Sequence, residues 1–242
     1  MRPATVVLVT SALILAGCAK GTPLQPSARL AGATRPEMSN DLRSATEARL
    51  GSSEAAPVRN SQVVHVPFFI LDAAGGTPTG GSTLLFESRA HNPILAPDGH
   101  QVTLAEFNAV QDQASFKCVH KGTHVVQELT GLIPNGVYSI KLLTFKAPGF
   151  DGTFSNLIGL GALGSSDGSH SSFLARADRT GSISAITPSG PLSVFGNIAG
   201  CALTGEFEFH VVGVYHIDGK TYGGAEAPAG TAVEQFAFIF HS

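Results

Sequence analysis

The stretch from Thr123 to Lys146, THVVQELTGLIPNGVYSIKLLTFK, constrains this chain more than any other. Residues 123–130 and 137–145 are rich in Val, Ile, Leu, Thr, Tyr and Phe, the composition of strands. Between them lies Leu132-Ile133-Pro134-Asn135-Gly136-Val137-Tyr138. Pro134 removes a backbone donor and fixes its own φ, and Asn135-Gly136 is a turn pair that tolerates left-handed backbone. The segment therefore reads as strand, corner, strand.

The spacing Leu132-x-Pro134-x-x-x-Tyr138 resembles the tyrosine corner of immunoglobulin-like and fibronectin-type sandwiches. The resemblance implies that the chain crosses from one sheet to the other here. It also implies that the Tyr138 hydroxyl bonds back to the backbone a few residues upstream, with Leu132 and Pro134 completing the corner. The rest of residues 61–242 agrees with an all-β, immunoglobulin-like antiparallel sandwich. Short β-rich runs occupy 62–71, 83–89, 115–120, 124–130, 137–145, 172–177, 181–186, 205–216 and 232–240. Asp98-Gly99, Asn135-Gly136, Asp151-Gly152, Asp167-Gly168 and Asp218-Gly219 mark turns between them. Pro67 within the first run predicts an edge position or a bulge. One short helix is expected after Thr103, which has capping-box spacing to Glu106 and would place Leu104 and Phe107 over one end of the sandwich. Residues 147–171, rich in Gly and Ser, read as a long loop and as the surface for an envelope protein or polymer partner. The domain also resembles secreted bacterial β-sandwich proteins with a GLxPxxxY segment, a Gly-rich loop and a late His-x₅-His strand, here His210 to His216. That resemblance implies no activity.

The N-terminus speaks to location. Met1-Arg2 precedes an apolar run from Thr5 to Ala16, too short to span a bilayer and bounded by small residues, which is the form of a secretory signal. It ends in Leu15-Ala16-Gly17-Cys18, which resembles the lipobox of bacterial lipoproteins. The resemblance implies cleavage after residue 17 and acylation of Cys18, with diacylglycerol and palmitate holding the mature chain to the membrane. Ala19 in place of Asp implies delivery to the outer membrane of a Gram-negative envelope. Residues 18–60 are rich in Ala, Ser, Thr, Pro, Gly and Arg and contain no aromatic residue, so they are expected to form a flexible tether. A short helix between Ser39 and Leu50 is an alternative within it.

Cys118 and Cys201 remain as an even pair in an exported domain, which predicts one disulfide. From residue 61 onward the chain has 8 basic and 14 acidic residues without a basic cluster, which argues against nucleic acid as a partner. The absence of Trp and the presence of only three Tyr argue against an aromatic carbohydrate platform.

Catalytic motifs fail on context. Gly159-Leu-Gly161-Ala-Leu-Gly164 matches the dinucleotide fingerprint, but a turn follows it where a helix is required. Gly164-Ser165-Ser166-Asp167-Gly168 matches a nucleophile elbow without the α/β sheet that elbow needs. Asp151, Asp167 and Asp178 lack the spacing of a calcium loop. No cofactor is expected from these patterns. The alternative is copper or zinc on strand histidines, for which His120, His124 and His210 are the candidates. His210 and His216 lie about 20 Å apart along one strand and cannot share an ion. A weaker alternative is an extracellular hydrolase using Glu206, Glu208 and His210, which alternate on one strand face. The ordinary reading of that row is the solvated face of an outer sheet. The first expectation is thus a lipid-anchored envelope protein acting as a binding or structural module.

Overall fold

The computed structural model describes residues 57–165, 167–188 and 207–241. Cys18, the signal segment, most of the tether, Cys201 and Glu206 lie outside the described residues. The strands are β1 Val58–Asn60, β2 Val64–His65, β3 Ile70–Leu71, β4 Phe86–Glu87, β5 Gln111–Val119, β6 Gly122–Thr130, β7 Val137–Lys146, β8 Leu157–Ala162, β9 Ser172–Leu174, β10 Gly181–Pro188, β11 Phe207–His216 and β12 Ala232–His241. One α-helix, α1, spans Leu104–Phe107, and a 3-10 turn spans Pro67–Phe69.

The strands form an antiparallel β-sandwich. A four-stranded sheet runs β1-β5-β6-β10 and a larger sheet runs β2-β12-β11-β7-β8, with β9 also paired to β7. β6 alternates buried and more exposed residues along its length, with Val125, Gln127 and Leu129 facing inward and His124 and Glu128 outward. Ile140, Leu142, Phe209, Val211, Phe236 and Phe238 answer from the larger sheet. Each such side chain contributes about 1.5–3 kcal/mol when fully buried.

The corner joins the sheets as its sequence predicts. The Ile133 N–H donates to the Tyr138 hydroxyl at 3.0 Å, and that hydroxyl donates to Gln235 Oε1 at 2.7 Å. Gln235 Nε2 then donates to the Phe107 carbonyl at 2.8 Å, tying the corner to α1. Asn135 adopts positive φ in the turn. Gln235 reaches this network because β12 carries a bulge. Gly213 pairs with Phe236 and Val214 with Glu234, leaving Gln235 as the extra residue. Gly213 is required there, since a Cβ would collide with the Phe236 ring. The bulge resets the alternation of β12, so that Glu234, Ala237 and Ile239 share the outer face.

Other expectations are met or revised. Thr103 and Glu106 form the full capping box of α1, and Phe107 is buried. The run 62–71 is two short strands broken by the 3-10 turn that opens at Pro67. The sandwich begins before residue 61: β1 pairs with β5, and Asn60 Nδ2 donates to the Ile239 carbonyl of the opposite sheet. Residues 147–171 are not one loop. β8 lies within them, paired to β7, and two of the glycines that suggested a loop, Gly159 and Gly161, are part of that strand.

Candidate ligand-binding cleft

The outer face of the larger sheet is not open to water. Its outward side chains on β7, β11 and β12 include Leu143, Phe145, Val212 and Ala237, which form a second apolar cluster. Three segments roof it: the 3-10 turn with Phe68 and Phe69, residues 147–156 with Phe150 and Phe154, and residues 222–227. Two adjoining cavities of about 340 and 200 Å³ lie beneath the roof. Both are bounded by Phe69, Leu143, Phe154 and Glu234, so they are two chambers of one cleft. Their combined size falls within the range of about 300–1,000 Å³ usual for small-molecule sites.

The smaller chamber is aromatic. Phe68 meets Phe150 edge-on at 5.6 Å, Phe150 meets Phe145 at 5.4 Å and Phe154 at 5.8 Å, and the His210 ring lies 4.9 Å from Phe145. Phe68 and Phe154 are 56 % and 50 % exposed and stand at the mouth. The roof is pinned from below by Glu208, which accepts from the Phe150 N–H at 3.1 Å and is hydrogen-bonded to His210 Nε2. Burial holds His210 below its ordinary pKa despite that carboxylate, and burial lowers His65 at the chamber's edge as well.

The larger chamber carries cations at one end, and both are engaged. Lys141 Nζ donates to the carbonyls of Gly223 at 2.6 Å and Ala225 at 3.3 Å. Arg89 binds Glu87 at 2.9 Å and Glu226 at 2.7 Å. Together they fasten the 222–227 roof. His216 packs its Nε2 against Ser139 Oγ at 2.7 Å, and burial drives its pKa down to about 4. Ser139 is itself buried and the His216 Nδ1 has no partner, so the pair lacks the exposed nucleophile and orienting carboxylate of a catalytic triad.

Glu234 is different. It sits where the chambers meet, half-buried, and lines both of them. No hydrogen bond or ion pair holds its side chain among the described residues. Burial pushes its pKa up to about 7 against the pull of Arg89 and Lys141.

Leu132 and Tyr138 are buried at the corner, with Pro134 between them. His120 is exposed at the tip of the β5–β6 hairpin. His124 faces outward on the four-stranded sheet, where its Nε2 meets Ser184 Oγ at 2.8 Å. His210 faces outward on the other sheet, so the three proposed ligands are not brought together. Among the described residues no group of three His, Cys, Asp or Glu side chains is placed to hold a metal ion. Cys118, near the end of β5, is engaged rather than free. The Glu208–His210 row is not a solvated face: His210 is only 6 % exposed, because the 147–156 segment folds over it. Glu208 is occupied in holding that segment. Glu234, Lys141 and the cleft phenylalanines went unnoticed in the sequence. The available signal was a lone carboxylate, beside Gln235, in the otherwise apolar Ala232-Val-Glu-Gln-Phe-Ala-Phe-Ile-Phe240 strand.

Fold and site together define an antiparallel β-sandwich with a roofed apolar cleft on the outer face of its larger sheet. Comparison with known proteins adds no relative: no family model, no curated protein and no solved structure matches this chain.

Proposed function

We propose that this is a lipid-anchored protein of the bacterial cell envelope, held to the outer membrane through Cys18, whose sandwich binds a small, mostly apolar ligand in the cleft. The anchor and the tether rest on the lipobox-like Leu15-Ala16-Gly17-Cys18 and on the composition of residues 18–60. A disulfide between Cys118 and Cys201 belongs to the same reading, since an exported domain matures in an oxidising compartment. Among the described residues no helix is long and apolar enough to cross a membrane.

One observation carries the binding role: the outer face of the larger sheet is apolar, roofed and hollow. A face that served only as structure would be packed to interior density or left polar. Of residues 147–171, expected as a whole to be the surface for an envelope protein or polymer, residues 147–156 form part of the cleft's roof.

The probe of choice is N-phenyl-1-naphthylamine, a neutral apolar fluorophore. It is titrated into the exported mature chain carrying Cys18→Ser, so that no acyl group competes. The reading predicts saturable enhancement at one probe per chain, abolished by Ala237→Phe, which fills the smaller chamber. Weak, unsaturable enhancement that Ala237→Phe leaves unchanged would contradict it.

A further inference from the structure

Apolar clefts with one polar group on the floor select their ligand through that group, because leaving it unpaired costs affinity. In this cleft the charged group left without a partner among the described residues is Glu234. Its neighbours have been assigned elsewhere: Lys141 to the Gly223 and Ala225 carbonyls, Arg89 to Glu87 and Glu226, Glu208 to His210 and the Phe150 N–H. Among the carboxylates, lysine and arginine of the cleft the Glu234 carboxyl alone has no hydrogen-bond or ion-pair partner, although the buried Nδ1 atoms of His65 and His216 also go unpaired; what the ionised carboxylate lacks is a donor or a cation in direct contact. The smaller chamber onto which it opens is walled by phenylalanine rings, whose faces attract cations. The larger chamber continues over Leu143, Leu157, Leu160 and Val214, a channel suited to an alkyl chain.

We infer that the cleft is a site for an alkylammonium amphiphile, with the ammonium head among the phenylalanines against the Glu234 carboxylate and the chain in the larger chamber. The inference rests on the cleft's being a ligand site and adds the ligand's charge and shape. An anionic amphiphile is disfavoured because the two cations within reach already hold oxygen partners, while Glu234 would repel the head once ionised. A quaternary head remains cationic at every pH, so binding follows the ionisation of Glu234. The groups that share the cleft with Glu234 are Arg89, Lys141, Glu226, Tyr222, His65, His210 and His216. The three histidines are pushed by burial below their ordinary range, on the acid side of Glu234. Affinity therefore rises as pH increases through about 7 and levels off above it.

The test is calorimetric titration of the unacylated mature chain with octyltrimethylammonium, octanoate and 1-octanol, from pH 5 to pH 9. The inference expects octyltrimethylammonium to bind tightest at pH 8, by about tenfold or more over octanoate, with the advantage shrinking toward pH 5. Glu234→Gln should remove the advantage and flatten the pH profile while the naphthylamine probe still binds. Equal affinities for the three compounds, or a preference for octanoate, would overturn the inference and leave the cleft as a ligand site if the naphthylamine still saturates. Failure of all three compounds and of the naphthylamine would overturn both. The pH profile of the unsubstituted protein decides the matter even if Glu234→Gln fails to fold.

Discussion

A carboxyl without a partner in an apolar cleft costs the fold something, and Glu234 is such a group. Its folded pKa, near 7, exceeds the ordinary glutamate value of 4.5. A raised carboxyl pKa means that the folded state binds the proton more tightly, so stability falls as pH rises from about 4.5 to 7 and stays reduced above that. The cost at pH 8 is up to about 3 kcal/mol on a shift of this size. Glu234→Gln should therefore be more stable than the parent at pH 8 in urea unfolding and equal to it at pH 4. A variant less stable at pH 8 would mean that the carboxylate has a partner in solution. His216 acts in the opposite sense. Its pKa near 4 lies below the ordinary histidine range, so its contribution is lost as pH falls from 6.5 toward 4. Between about pH 4.5 and 6.5 these two slopes oppose each other. Tyr138 was legible in the sequence because a tyrosine corner is written within seven consecutive residues. Glu234 was not, because its placement depends on which of ten residues in β12 is the bulge, and that is settled by Gly213 on another strand.

At the scale of elements, the roof matters most. Residues 147–156 stay down because Glu208 accepts the Phe150 N–H and Asn156 Nδ2 donates to the Gly149 carbonyl at 2.9 Å. Glu208→Ala should raise amide hydrogen exchange across residues 149–154 by about tenfold or more, the loss of one charge-assisted bond, and leave β6 and β7 protected. Unchanged exchange in that segment would show that aromatic packing alone holds it. This roof also explains where strand patterning misled. Glu208 and His210 alternate with Phe209 and Val211 as a solvated face would, yet His210 is covered, since alternation reports two faces and not what lies over them. β8 was hidden by Gly159 and Gly161, residues depleted in strands. The capping box of α1 and the strands flanking the corner needed only local sequence and were legible.

For the whole molecule, a tethered sandwich with a lipid anchor would sample its ligand close to the membrane from which an amphiphile would come. Metabolic labelling with palmitate should mark the wild-type chain and not a Cys18→Ala variant; equal labelling of both would remove the anchor from the account. The all-β sandwich followed from turn dipeptides and β-rich runs, which are properties of sequence neighbours. The cleft arises from segments more than a hundred residues apart, and nothing local records that juxtaposition. The measurement that reaches the central claim most directly is a methyl chemical-shift map of the unacylated mature chain titrated with N-phenyl-1-naphthylamine. The account predicts shifts, and contacts between probe and protein protons, at Leu143, Leu157, Leu160, Val212 and Val214, with Val125, Ile140 and Val211 in the sandwich interior unmoved. Contacts at the interior methyls, or none at the cleft methyls, would contradict it.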